Sequence, residues 1–182
     1  MPRHAWASAC ALALALAAFA CGPTNEPVAR TTGPSSDAGT FEGTWSATGA
    51  RRVIPLGGER KGSIAGLQGT LLLTGPGSLG VGFRAEAIAL EDTQTGLVGR
   101  AVWTDERGDQ VFSEIRGEGT AAQNRIVGTL LGGTGRYAGV TGSYEFSWHF
   151  MIESEDGSIQ GRADGLKGRF KLAQPATGST AR

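Results

Sequence analysis

The chain has 182 residues, with 17 Lys+Arg against 17 Asp+Glu, a formal net charge of zero and 30 glycines. Balanced charge argues against a nucleic-acid partner, which calls for a basic excess. Glycine far above its usual share of about 7% argues against a helical bundle, where each interior Gly costs about 1 kcal/mol relative to Ala, and the absence of a third-residue period excludes collagen.

Residues 1–20 read as an address. Arg3 and His4 precede an apolar run from Ala5 to Ala20, shorter than the roughly 20 residues of a membrane-spanning helix. A charged start, a short apolar segment and small residues at its end describe a secretory signal. The only cysteines are Cys10 and Cys21. Cys10 leaves with the signal, so the exported chain has no internal disulfide, no thiol nucleophile within the domain and no Cys-based zinc site. Residues 21–40, rich in Pro, Gly, Ser and Thr after Cys21, read as a flexible tether, and residues 173–182 as a disordered tail. Removing Arg3 with the signal leaves 16 basic and 17 acidic residues, so the charge stays near zero.

The stretch Ala18-Phe19-Ala20-Cys21 resembles a bacterial lipobox. That resemblance implies lipidation of Cys21 as the first mature residue and anchoring in the bacterial cell envelope. Gly22 in the next position implies the outer membrane where the cell has one. Ordinary signal-peptidase cleavage after Ala20 is the alternative.

From Phe41 to Leu172 the dominant period is two, the mark of strands. Eight segments alternate: 41–48, 67–74, 81–90, 97–104, 109–118, 125–131, 140–153 and 158–172. The clearest is 140–153, with Val140, Tyr144, Phe146, Trp148, Phe150 and Ile152 on one side. In the last the phase changes midway, as a glycine bulge would cause. Turn signals stand between segments at Gly75–Gly77, Glu106–Asp109 and Glu155–Ser158. Short strands at this spacing indicate a sandwich or a closed barrel. Closure removes pairing edges, and eight strands suit a small barrel that is packed or holds one small ligand. The expected fold is therefore all-β: one eight-stranded antiparallel β-barrel, calycin-like, over 41–172.

Between the sixth and seventh segments runs Gly132-Gly133-Thr134-Gly135-Arg136-Tyr137-Ala138-Gly139-Val140-Thr141-Gly142. Gly132, Gly133 and Gly135 permit a tight bend, Tyr137 and Ala138 can fold back to plug a barrel end, and Gly139 and Gly142 permit close backbone approach. A dinucleotide loop would need a helix after it, and an alternating strand follows instead. The run resembles the signature of the allene oxide cyclase and dirigent-like barrels. The resemblance implies an eight-stranded calycin-like barrel in which this loop joins two antiparallel strands, and it allows homo-oligomers. The family's catalytic groups do not carry over. Glu42 is the only acid in the first segment, and the one Asn in the domain is Asn124.

Hydrolytic chemistry is disfavoured. The exported chain has one histidine, His149, expected to face outward, and the nearest run to a nucleophile elbow has Pro76 where its first Gly belongs. No cofactor or metal is implied. Trp45, Trp103, Tyr144, Phe146 and Trp148 are expected either to pack the core or to line a cavity for a small apolar molecule. Arg84, Glu86, Arg100, Glu114, Arg116 and Glu118 fall on the opposite register. They are read as a solvated outer face; were that register to line the barrel, Arg100, Glu114 and Arg116 would form a polar cavity for acid–base work or an anion. Three functions follow: a lipid-anchored barrel binding a small apolar ligand or an envelope partner, a cyclase- or isomerase-like enzyme holding a reactive molecule, and a structural oligomeric envelope protein.

Overall fold

The alternating segments pair in chain order. The computed structural model describes residues 38–77, 79–118 and 125–173. The signal segment, Cys21, most of the tether, Asn124 and the tail beyond 173 lie outside the described residues. The strands are β1 (Ala38–Pro55), β2 (Lys61–Thr74), β3 (Gly82–Asp92), β4 (Gly96–Thr104), β5 (Gln110–Glu118), β6 (Arg125–Gly133), β7 (Thr141–Glu153) and β8 (Ser158–Lys171). Each is antiparallel to the next, and β8 returns to β1, closing an eight-stranded barrel. The described residues contain no α-helix, only a 3-10 turn at Gly135–Tyr137.

The strands outrun the apolar alternation that announces them. β1 starts at Ala38, so Ala38, Gly39 and Thr40, expected in the tether, pair with Lys171, Phe170 and Arg169 of β8. At its other end β1 continues past Thr48 to Pro55, matched by an earlier start of β2, with Arg51 opposite Ala65 and Ile54 opposite Gly62. Backbone pairing continues there although the inward side chains cease to be large and apolar.

The phase change in β8 is real. Ile159 and Ala163 point inward on the odd register, Leu166 and Phe170 on the even one. Between them Gly165 has φ +64°, and the ladders to β1 and β7 both shift register nearby. The bulge restores the inward direction of an apolar set that would otherwise face water.

The barrel interior is graded by side-chain size. At one end Phe41, Leu71, Leu73, Phe83, Trp103, Val111, Val140 and Phe170 are all buried. Their aromatic members meet edge-on or tilted, as Phe41 and Trp103 do at 6.1 Å, the preferred geometry for such rings. At the other end several inward positions of β1 to β5 are small: Gly49, Ala65, Ala87, Ala89, Gly99 and Gly117. One end is filled and the other is hollow.

The 132–142 loop closes the filled end. Tyr137 is 1% exposed and packs 5.9 Å from the Phe83 ring, whereas Ala138 stays exposed. Gly132, Gly135, Gly139 and Gly142 all have positive φ. A Cβ on Gly133 would lie 2.2 Å from the Gln110 carbonyl oxygen. Gly142 is constrained twice over by the backbone: its φ is +147°, and a Cβ would stand 2.1 Å from the Arg169 carbonyl oxygen of β8. Gly142→Ala is therefore expected to destabilise the barrel by roughly 2 kcal/mol or more, lowering the thermal midpoint by several degrees. Calorimetry of the two chains checks this.

Candidate functional site

The hollow end forms a cavity of about 290 Å³. That is close to the lower bound of the roughly 300–1,000 Å³ usual for small-molecule sites. Its wall is mostly apolar: Trp45, Ala65, Leu67, Ala87, Ala89, Leu97, Ile115, Ile126, Phe146, Trp148, Phe150 and Ile159. Small residues on β2 and β3 leave the space, and large ones on β1 and β7 face it.

The expected cavity residues separate into two groups. Trp45, Phe146 and Trp148 line the cavity. The rings of Trp45 and Trp148 lie 5.1 Å apart at 47°, and Trp45 meets Phe146 edge-on at 6.1 Å. Trp103 and Tyr144 lie deeper, in contact at 4.8 Å, and bound a residual void of only about 20 Å³. They form the packed floor. Tyr144 shares a 2.8 Å hydrogen bond with the buried Ser113 hydroxyl, and burial pushes its hydroxyl above the ordinary range against that bond.

Trp45 and Trp148 carry the unusual feature of the wall. Each is 7% exposed, and each buried indole N–H lacks an acceptor among the described residues. A buried donor left unpaired costs about 1–3 kcal/mol.

At the mouth stands a polar cluster that the sequence reading does not single out. Arg51 on β1 donates from Nη2 to Glu91 on β3 at 3.0 Å, from Nη1 to Glu153 on β7 at 3.1 Å, and from Nε to the Ser63 hydroxyl on β2 at 3.2 Å. Ser63, itself buried, donates to the same Glu91 oxygen at 3.1 Å. The Arg51 guanidinium also lies 5.6 Å from the Phe150 ring centroid, within cation–π range. Arg51, Ser63 and Glu91 all line the cavity. The signal for them was the strand register. Trp45 and Ala47 continue through Gly49 to Arg51, Leu67 runs back through Ala65 to Ser63, and Ala87 runs on through Ala89 to Glu91. The alternation of large apolar residues stops before all three, although the backbone pairing continues through them.

Arg100, Glu114 and Arg116 do not enter the barrel. They belong to the outward register, where Glu114 pairs with Arg100 at 3.0 Å and with Arg116 at 2.5 Å, and both arginines are more than half exposed. Arg84 and Glu86 form a similar outer pair at 3.1 Å. Exposed pairs of this kind contribute about 0–1 kcal/mol. The interior side of β4 and β5 is instead occupied by Leu97, Ala101, Trp103, Val111, Ser113 and Ile115. His149 also faces outward, with Nε2 3.6 Å from Asp164. No group of three His, Cys, Asp or Glu among the described residues is placed to hold a metal ion.

At the filled end the plug is fastened electrostatically. Asp105 sits in the turn after β4, its side chain 1% exposed, 2.7 Å from Arg136. It accepts hydrogen bonds from the N–H groups of Arg107 and Asp109 and from the Tyr137 hydroxyl. Arg136 in turn donates to that hydroxyl at 2.9 Å. Burial alone would raise the Asp105 carboxyl, but the two N–H groups, the hydroxyl and the guanidinium outweigh it and hold it below the ordinary carboxylate value. Burial pushes the Tyr137 hydroxyl up to about 12 against the pull of Arg136, so it remains a donor at neutral pH.

No protein-family model matches the chain, and no curated protein matches it. Among solved structures the chain is similar to a pterocarpan synthase dirigent protein, at 11% identity and a TM-score of 0.47, over 84% of this chain and the whole of that one.

A depressed carboxyl stabilises the fold above its unfolded value, about 3.9, and that contribution is lost as pH falls through the folded value. Thermal midpoints should therefore drop below about pH 4, and Asp105→Asn should flatten part of that decline while lowering stability at pH 7. The raised Tyr137 hydroxyl works in the other direction, its contribution fading above about pH 10. Unfolding scans from pH 2 to 11 check both limbs; an unchanged acid slope in Asp105→Asn would contradict the assignment.

Proposed function

We propose that the chain is an exported, lipid-anchored barrel of the allene oxide cyclase and dirigent-like type that binds a small, mainly apolar molecule in its hollow end. The observation that carries this reading is the cavity itself. The inward register is filled with large side chains at one end, while at the other small residues such as Ala65, Ala87, Ala89 and Gly117 stand among the large ones, leaving about 290 Å³ beneath a polar mouth. Protein interiors are normally close-packed, so an apolar space of this size forgoes packing contacts that a bound molecule would restore. The glycine-rich run at 132–142 supports the family type. The apolar segment before Cys21 supports export and anchoring.

A second reading has one specific support. Glu91, bonded to Ser63 and Arg51 on the cavity wall, gives a carboxylate beside the space where a bound molecule would sit. That suits a cyclase- or isomerase-like reaction, which needs shape and one or two polar groups rather than a hydrolytic triad.

Binding is tested by titrating the chain with 1-acetylnaphthalene and following indole fluorescence. Saturable quenching is expected. Ala89→Phe, which fills the space from β3, should weaken binding at least tenfold while leaving the barrel folded by circular dichroism. Equal affinity of the two chains would place the ligand elsewhere. For the anchor, Cys21→Ser should move the protein from the membrane fraction of a bacterial host to the soluble one; unchanged partitioning would refute lipidation there.

A further inference from the structure

The charges around the cavity are already paired among themselves, and the unpaired polar groups of its wall are neutral donors. Arg51 is held by Glu91, Glu153 and Ser63 at 3.0–3.2 Å. Asp92, also at the mouth, is held by Arg60 at 2.6 Å. Arg125 is engaged by Glu145. An anion entering the mouth would have to displace a carboxylate from Arg51 and would then be repelled by it. If it went deeper, it would be buried among aromatic and aliphatic side chains, with no unpaired cation among the described residues that line the space, an expensive place for a charge. The indole N–H groups of Trp45 and Trp148 stand differently. They are buried, lack an acceptor among the described residues and belong to rings that line the cavity.

From this pattern we infer that the site selects uncharged molecules with a hydrogen-bond acceptor, such as a ketone, ether or ester oxygen on an apolar ring system, over carboxylates of the same shape. The inference rests on the reading of the cavity as a binding site. Both indole nitrogens are covered by surrounding protein, so the acceptor reaches them as the rings re-pack around it. An apolar body fills the space left by Ala65, Ala89 and Gly117, and its oxygen completes the bonding of one or both indoles. An aromatic ring system meets Trp and Phe faces on the β1 and β7 side and small side chains on the β2 and β3 side. The closed ion-pair cluster around Arg51 remains intact, screening the ligand from water without binding it.

Three probes of one shape separate the contributions: naphthalene with no acceptor, 1-acetylnaphthalene with a neutral one, and 1-naphthoate with a charged one. Calorimetric titration of the purified chain at pH 7 should give at least tenfold tighter binding for 1-acetylnaphthalene than for either of the others. In nitrogen–proton correlation spectra, the indole resonances of Trp45 and Trp148 should shift on saturation, and that of Trp103 should move least. Trp45→Phe and Trp148→Phe, which keep an aromatic wall and remove the donor, should erase the preference for the acetyl probe in at least one case while naphthalene still binds. Equal affinity for naphthalene and 1-acetylnaphthalene would overturn the acceptor claim. Tighter binding of 1-naphthoate would overturn the claim of neutrality. Binding of none of the three would overturn the binding reading, and this inference with it.

Discussion

A closed barrel of eight strands encloses an interior whose size is set by strand number and stagger, and one register of side chains has to fill it. The rest of this structure follows from how that register is spent. Near the 132–142 loop the inward residues are Phe, Trp, Leu and Val, and they meet in the middle. Towards the opposite end the same strands present Gly49, Ala65, Ala89 and Gly117, which are too small to meet. The floor, the cavity and the mouth are consequences of one size gradient along continuous strands. The plug answers the same constraint from outside the sheet: Tyr137 covers the filled end, and Asp105 and Arg136 fasten it.

Polar placement obeys the same geometry. The outward register takes ion pairs such as Arg100 with Glu114, where water makes them cheap to form and weak in effect. The inward register turns polar at the Ser113–Tyr144 pair in the floor and at the mouth, where Arg51, Ser63 and Glu91 meet from three neighbouring strands and satisfy one another. Between mouth and floor the wall is apolar except for two indole N–H groups. On the binding reading proposed above, a site built this way favours molecules that are mostly apolar and uncharged, held between the packed floor and the paired rim.

Much of the fold is legible in the sequence because the period of two is strong. All eight strands, the two alternating sides of each, and the phase change in the last can be read from residues such as Phe41 and Trp45 or Ala163 and Leu166. The ends are less legible because the alternation of size stops before the backbone pairing does. That is why Ala38 to Thr40 read as tether and why Arg51 escapes notice. The cavity is legible only in part. Aromatic residues announce a core, but Trp103 in the floor and Trp148 in the wall look alike in sequence. What separates them is the size of the residue opposite, and only the strand pairing supplies that. The register of Arg100, Glu114 and Arg116 could be read either way until the apolar residues alternating with them were placed inside.

The central claim is that the barrel is hollow at one end and that the space is apolar. A crystal structure determined under xenon pressure tests it most directly, since xenon occupies dry apolar cavities. The account predicts xenon density bounded by Trp45, Ala89, Phe146 and Trp148, with none between Phe41 and Trp103. A filled interior, with Trp148 or Phe150 swung into the space and no xenon bound, would contradict it.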